Sequence, residues 1–334
     1  MALLGEQSIP LPCVRQMPLK YFPEGIKARL RPLPQWSATG ARAECDPVRV
    51  FLTAGNLRFD VTDNHVVAAL KPFTLAIGLD EPLQLALSKD RAPNLNFHDQ
   101  HSRRDIASLR LHHEETLRIG TASIALFHVS QQKQRCLRWP YRTWNCWLQG
   151  RAAARNTDPT NFAMTPESQQ QVMVFYIRPR PVVLVSVQCA AHGNIFPMDL
   201  IGPVTPGLFT LALRSTSHSV QSMKVVRRVA LSDMAAADVK IAHALGRHHR
   251  HISIDWDALP FPIERSDHFS LPVPAIALRV RELEIVDFAV VGSHTLFVCR
   301  QLFERRMHDG LPLCHVSGIS QHFRSRRRQP LAPA

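Results

Sequence analysis

Between Leu208 and Val226 the chain reads LFTLALRSTSHSVQSMKVV: an apolar run, then the hydroxyl side chains Ser215, Thr216, Ser217 and Ser219. Val220, Met223 and Val226 follow at the three- and four-residue spacing of one helical face. This order predicts a strand, a hydroxyl-rich turn and a helix. A helix start leaves backbone N–H groups without partners and carries a partial positive charge, so a phosphate can accept from them and from neighbouring alcohols. Arg214 and Lys224 would add positive charge. The plainer alternative is that Thr216 or Ser217 only caps the helix.

A second apolar run, Pro181 to Val187, is rich in valine and bounded by proline, which is strand character. It leads into GNIFPMDLIGP, residues 193–203, read as a polar loop between two buried strands of one barrel-like sheet. Further on, VVGSHTLFVC (290–299) sets His294 at the head of an apolar strand, and LCHVSGI (313–319) reads as a closing strand. Taken in order, PVVLVSV, the Asn-led loop, FTLALRSTS with its helix and GSH before a strand resemble the flavin reductase-like group of FMN-binding split β-barrel proteins. The matching pieces span roughly the second half of the chain.

The resemblance implies an antiparallel barrel of about six strands, FMN near the interface of a homodimer, and hydride transfer from NADH or NADPH to the flavin. An oxygenase partner would receive the reduced flavin. Carried over by position, Asn194, Met198, Asp199 and Leu200 would lie along the isoalloxazine edge. Ser215, Thr216, Ser217 and Ser219 would contact the phosphate with the help of Arg214, and His294 would stand near the nicotinamide or flavin. His294 reads equally well as a histidine capping a strand start. Asp199 departs from the family's usual Thr/Ser run. It can accept from the flavin ring N3–H or pair with Arg178 or Arg180, and its charge would oppose an anionic reduced flavin. The alternative function is a non-catalytic flavin-binding or assembly protein with a degenerate reductase site; a third is a basic accessory protein acting through its tail.

The elements that would hold these residues suggest two domains in 334 residues. We expect a mainly β fold with some helix (α+β): an extended arm over 1–45, a β-rich α+β domain over 46–150 and a linker over 151–172. A split-barrel domain over 173–322 and a basic disordered tail over 323–334 complete the division. In the first half VRVFLTA, KPFTLAIGL and PLQLALS read as strands, Arg104 to Leu117 as more helical, and LRIGTASIALFHV as strand again. FTLAIGL is faintly similar to LFTLALR, although seven residues are too few to assert a repeat. Trp139, Trp144 and Trp147 either cover a ligand face or glue the linker to its domain.

Composition narrows the function classes. Hydrophobic residues make up 45%, enough for a sizeable core, and no apolar stretch reaches membrane-spanning length. The N-terminal MALLGEQSIPLPCVR lacks the marks of a secretory signal, so a cytoplasmic protein is expected. The net charge is +13, with 33 arginines against seven lysines. They are spread along the chain except for Arg324, Arg326, Arg327 and Arg328, which argues against nucleic acid as the main partner. Cysteines 13, 45, 136, 146, 189, 299 and 314 follow no metal or disulfide pattern and read as reduced thiols, with Cys189 and Cys299 in the core. His243, His248, His249 and His251 read as surface or structural groups, or as ligands for dinucleotide phosphates, ahead of a metal site. Dinucleotide, P-loop, zincin and nucleophile-elbow motifs are absent from the sequence, so a bound cofactor carries the expected chemistry.

Overall fold

The computed structural model describes residues 32–90, 92–155, 164–189 and 192–327. Its first strand, β1 (Ser37–Gly40), lies within the expected arm and precedes β2 (Val48–Ala54), β3 (Leu57–Asp60), β4 (His65–Leu70) and β5 (Phe73–Leu79). Helix α1 (Glu81–Lys89), then β6 (Asn94–Asp99), β7 (Arg104–Ile119) and β8 (Ala122–Gln134), complete the first half. Helices α2 (Trp139–Arg155) and α3 (Pro166–Phe175) occupy the described parts of the expected linker, whose residues 156–163 lie outside the described residues.

The second half holds β9 (Arg180–Pro181), β10 (Val183–Cys189), β11 (His192–Met198), β12 (Ile201–Thr205), β13 (Leu208–Arg214), α4 (His218–Val226) and β14 (Arg228–Asp233). An insertion follows, with α5 (Val239–Ala244), a 3-10 turn at Leu245–Arg250 and the hairpin β15 (Ile263–Arg265) and β16 (Pro272–Pro274). The long hairpin β17 (Arg279–Val291) and β18 (His294–Arg306), then β19 (Leu313–Val316) and α6 (Gly318–Arg327), end the described chain. The architecture is α+β and mainly strand, as expected. No described helix is long and apolar enough to cross a membrane.

The two seven-stranded antiparallel sheets have the same connectivity. The first runs β3-β2-β6-β7-β8-β5-β4 and the second β11-β10-β14-β17-β18-β13-β12. Each second-half strand holds the place of its first-half counterpart, and α1 and α4 both follow the fourth strand of the motif. The FTLAIGL and LFTLALR likeness falls on the equivalent strands β5 and β13. The pairing registers set the matched letters two residues apart, a shift that keeps every side chain on its face. In the second sheet Phe196 on edge strand β11 and Ile201 on edge strand β12 join one core with Leu211, Val229, Leu283 and Phe297, so the sheet curls around its own interior and buries Val220 and Met223 of α4.

The halves pack through equivalent strands. β4 lies against β12, β13 and β18, and one apolar cluster joins Val66, Ala68 and Leu75 of the first half to Val204, Ala212, Leu296 and Val298 of the second. At Gly78 a Cβ would collide with the carbonyl oxygen of Val204, so β5 and β12 meet backbone to backbone.

Several expectations are corrected. PLQLALS is helix α1, because Asp80 caps it by accepting from Leu83 N–H, Pro82 sits in the first turn, and Leu83, Ala86 and Leu87 bury one helical face. Arg104 to Leu117 is strand: register shifts at Arg110/Leu111 and His113/Glu115 break the two-residue alternation that would have revealed it. Residues 193–203 form β11 and β12 instead of a loop. β19 joins a separate three-stranded sheet with β1 and β9 instead of closing the barrel. Residues 323–327, expected in a disordered tail, are helical. Buried Arg324 makes two hydrogen bonds to the buried Asp46 carboxylate at 2.7 and 3.0 Å, and Arg327 reaches Asp99. Arg328 lies outside the described residues.

The three tryptophans of α2 are exposed, Trp139 at 72%, and Trp144 stacks on Trp147. None of the three sits in the core. Cys299 is core and burial pushes its thiol up, whereas Cys189 is half-buried; Cys13 lies outside the described residues.

Candidate functional site

Strand β13, the turn and helix α4 follow one another in the order the sequence predicts. Arg214, Ser215 and Thr216 are exposed and Ser217 is half-buried. Ser217 occupies the N-cap position in extended conformation, but its hydroxyl makes no cap bond and instead donates to the carbonyl of His249 at 3.4 Å. The turn is held from below: Ser215 N–H donates to Ser293 O, and the hydroxyls of Ser215 and Thr295 lie 3.1 Å apart. Partial burial, and then the like charge of Arg250, lower the Arg214 guanidinium from its ordinary value. Arg214 and Arg250 are therefore close enough to feel each other's charge, beside a helix start without a side-chain cap. Arg250 was missed in the sequence because it lies 36 residues downstream, in the insertion.

Two expected contacts are removed from this set. Ser219 is buried and accepts from Asn194 Nδ2 at 3.3 Å. Asn194, 1% exposed, also donates to the carbonyls of His248 and His251, each at 2.9 Å. Both side chains tie the insertion to β11. The histidine cluster does the same work, with ring nitrogens of His248 and His249 on the carbonyls of Ile195 and Pro197. β11 is an edge strand, so these rings cover carbonyls that the sheet leaves unpaired. Among the described residues no group of three or more His, Cys, Asp or Glu is placed to hold a metal.

Met198, Asp199 and Leu200, at the junction of β11 and β12, line a cavity of about 380 Å³ together with Trp36, Leu70 and His315. Asp199 pairs with neither Arg178 nor Arg180. Arg178 reaches Val48 O and Asp63, and Arg180 reaches His65 and lies over the Phe175 ring. Asp199 Oδ2 instead accepts from Tyr176 OH at 2.8 Å and lies 2.7 Å from Nδ1 of His315. Burial would push the Asp199 carboxyl up, but the His315 hydrogen bond and charge and the Tyr176 phenol hold it below the usual carboxylate range. Burial, then Asp199, push the Tyr176 phenol well up. Trp36 stacks on His315 with ring centroids 4.0 Å apart. Trp36, Tyr176 and His315 carried no local signal, because the start of β1, the end of α3 and β19 bring them together from the two ends and the middle of the chain.

His294 links the cavity to the turn. It lies opposite Arg214 in the β13–β18 register, and its Nδ1 sits 2.9 Å from Ser293 Oγ and 3.5 Å from Leu70 N. It is buried, and desolvation followed by the Arg214 charge pushes it down to about 4, so the ring is neutral at pH 7. The β4–β5 hairpin grips the Gly292 turn through Ser293 N–H to Lys71 O and Lys71 N–H to Ser293 Oγ. A Cβ at Gly292 would collide with Lys71 O, and its φ of +50° is a conformation that suits glycine. The first half thus supplies one wall of the site through Leu70 and Lys71. His249, whose imidazole feels both Arg214 and Asp199, spans the interval between turn and cavity.

The equivalent place in the first half is built differently. There β5 ends at Leu79 and α1 starts at Glu81 with Asp80 between, so the three-residue alcohol turn is missing and two carboxylates stand at the helix start. The turn around Gly120, equivalent to that around Gly292, has nothing within 4 Å of a Cβ, and a cavity of about 1290 Å³ opens there. A phosphate at α1 would meet repulsion.

Residues 175–314 match the family model of the flavin reductase like domain. No curated protein matches the chain. Among solved structures the chain is similar to the NADH:FAD oxidoreductase SgcE6 of Streptomyces globisporus C-1027, at 20% identity over 45% of this chain and 88% of that one, with a TM-score of 0.39. It is also similar to BorF, the flavin reductase component of a bacterial two-component tryptophan halogenase, at 20% identity over 44% and 99% with a TM-score of 0.38. An FMN-binding protein from Thermus thermophilus aligns at 20% identity over 39% and 71% with a TM-score of 0.34. Over residues 175–314, less than half of the chain, the similarity is to a flavin reductase like domain.

Proposed function

We propose that the chain binds one FMN and transfers hydride to it from NADH or NADPH. The observation that carries this reading is the α4 start without a side-chain cap, flanked by exposed Ser215 and Thr216 and by Arg214 and Arg250, within the matched domain. It adjoins an apolar cavity walled by Trp36, Met198 and Leu200, as wide contact with a flat ring system requires. The residues fit the cofactor in kind: cationic and hydroxyl groups for a phosphate, aromatic and aliphatic walls for the ring.

When bound, a flavin supplies the two-electron acceptor. The chain's own residues do the rest. Arg214, Ser215, Thr216 and Ser217, with the N–H groups of α4, hold the phosphate end, while Met198 and Leu200 orient the ring and exclude water. His294, neutral and held by Ser293 and Leu70, keeps the β4–β5 hairpin on the site; this supports a positioning role over proton transfer. Hydride transfer asks for alignment and a dry surface before it asks for an acid or base.

A homodimer with the cofactor at its interface is the arrangement that the family resemblance implies. Here the duplicated sheet offers that pairing inside one chain, with the first half as the partner that cannot hold a phosphate of its own. A monomer with one flavin follows, and an oxygenase component remains its proposed client. The test is the visible spectrum of the purified protein, identification of any released flavin, and NADH and NADPH oxidation with added FMN. Flavin bound without nicotinamide oxidation would leave a binding protein; protein that is colourless and indifferent to added flavin would end the proposal.

A further inference from the structure

The cavity under Trp36 contains a polar atom that the protein leaves unused. His315 is 6% exposed, and its Nε2 is buried without a hydrogen-bond partner among the described residues. The other nitrogen is committed, since Nδ1 lies 2.7 Å from Asp199 Oδ2, a carboxylate also fixed by Tyr176 OH. A carboxylate can only accept, so Nδ1 carries the hydrogen, and when the ring is neutral Nε2 presents a lone pair. The ring cannot turn away, because Trp36 stacks on its face and His243 stands beside both, with ring centroids 6.0 Å from each. A fixed, desolvated acceptor left empty is costly, and a ligand N–H that fills it gains the difference.

We infer that His315 Nε2 is the acceptor for the imide N–H of a planar heteroaromatic ligand seated in this cavity, the N3–H edge of an isoalloxazine in the reading above. The inference rests on that reading and deepens it. Asp199 then contacts the ligand only through His315: it fixes the tautomer and keeps its negative charge one ring away from the flavin. Tyr176 anchors Asp199 and Trp36 locks the imidazole plane, so strands from the two ends of the chain, β1 and β19, build the recognition of the ring edge.

The full chain is titrated with FMN, riboflavin and 3-methylriboflavin, following flavin fluorescence, and the titration is repeated with His315→Ala. Wild type is expected to bind riboflavin about 10- to 100-fold more tightly than its N3-methyl analogue, as for loss of a buried hydrogen bond. His315→Ala should bind both within about threefold of each other, because acceptor and obstruction leave together. On riboflavin binding, the ¹⁵N resonance of His315 Nε2 should move as an accepting nitrogen does, and the analogue should leave it in place. If wild type binds flavin but does not discriminate against the methyl group, or if His315→Ala discriminates as well as wild type, this inference is overturned while flavin binding stands. If wild type binds none of the three, the flavin reading itself has failed. Should His315→Ala not fold, the comparison of the two ligands on wild type and the ¹⁵N shift still decide.

Discussion

Ser217→Asp should move stability and phosphate binding in opposite directions. The first half contains the natural version of this change: Asp80 caps α1 by accepting from Leu83 N–H at 3.0 Å, whereas the Ser217 hydroxyl makes no cap bond to α4. An aspartate at this position gains that cap and a favourable interaction with the helix dipole, together about 1 kcal/mol. It also sets a carboxylate against any phosphate resting on the same N–H groups. Two unit charges about 4 Å apart repel by about 4 kcal/mol at an effective dielectric near 20, and exposure of the turn reduces this to about 2–4 kcal/mol. FMN affinity should therefore fall by about 30- to 800-fold. Riboflavin, which lacks the phosphate, should bind as it does to wild type, and Ser217→Asn should be stabilised similarly while keeping most of its FMN affinity. The assays are urea denaturation and fluorescence titration at low and high salt, where the FMN penalty should shrink as salt rises. A Ser217→Asp variant that binds FMN as tightly as wild type would refute the placement of the phosphate at α4.

Arg324→Ala should destabilise the fold by about 3–5 kcal/mol, because it strands the buried Asp46 carboxylate. Arg326→Ala, at an exposed position of the same helix, should stay within about 0.5 kcal/mol, and equal denaturation midpoints for the two would contradict the ion pair. His294 imposes a pH dependence of known sign. Its folded value near 4 lies below the ordinary 6.5, so the unfolded chain takes up the proton first. Stability from this residue is then flat above pH 6.5 and falls between 6.5 and 4 by up to about 3 kcal/mol. Urea midpoints at about pH 7.5, 6 and 5 should show a shallower slope in His294→Gln than in wild type; identical slopes would remove the buried neutral ring. Gly78→Ala should weaken the union of the halves, since its Cβ would collide with the Val204 carbonyl, and unchanged thermal stability would contradict that contact.

What the sequence disclosed followed from how local each signal was. The β13–turn–α4 unit was readable because its apolar run, alcohols and helical spacing are contiguous, and β10 because a valine run opened by a proline has few other fates. PLQLALS misled because leucine and alanine serve both elements, and only the cap at Asp80 with Pro82 decided for helix. In β7 the bulges erased the alternation. The repeated topology left no aligned trace in letters, because an alternating apolar pattern constrains which face a residue takes and not which residue it is; even the FTLA match lies two residues out of register. Trp36 with His315, and Asp46 with Arg324, lie nearly the whole chain apart and meet only through β1–β19 pairing and the docking of α6. Asn194 and Ser219 had the right chemistry for a ligand, but the insertion at Leu245–Arg250 claims them for its own attachment.

We propose one phosphate-dependent flavin site in a chain whose first half substitutes for a second subunit. Its most direct measurement is an equilibrium titration of the full chain with FMN alongside light scattering. A monomer that binds one FMN per chain and binds riboflavin more weakly is expected. Two flavins per chain, binding confined to a dimer, or equal affinity for FMN and riboflavin would contradict it.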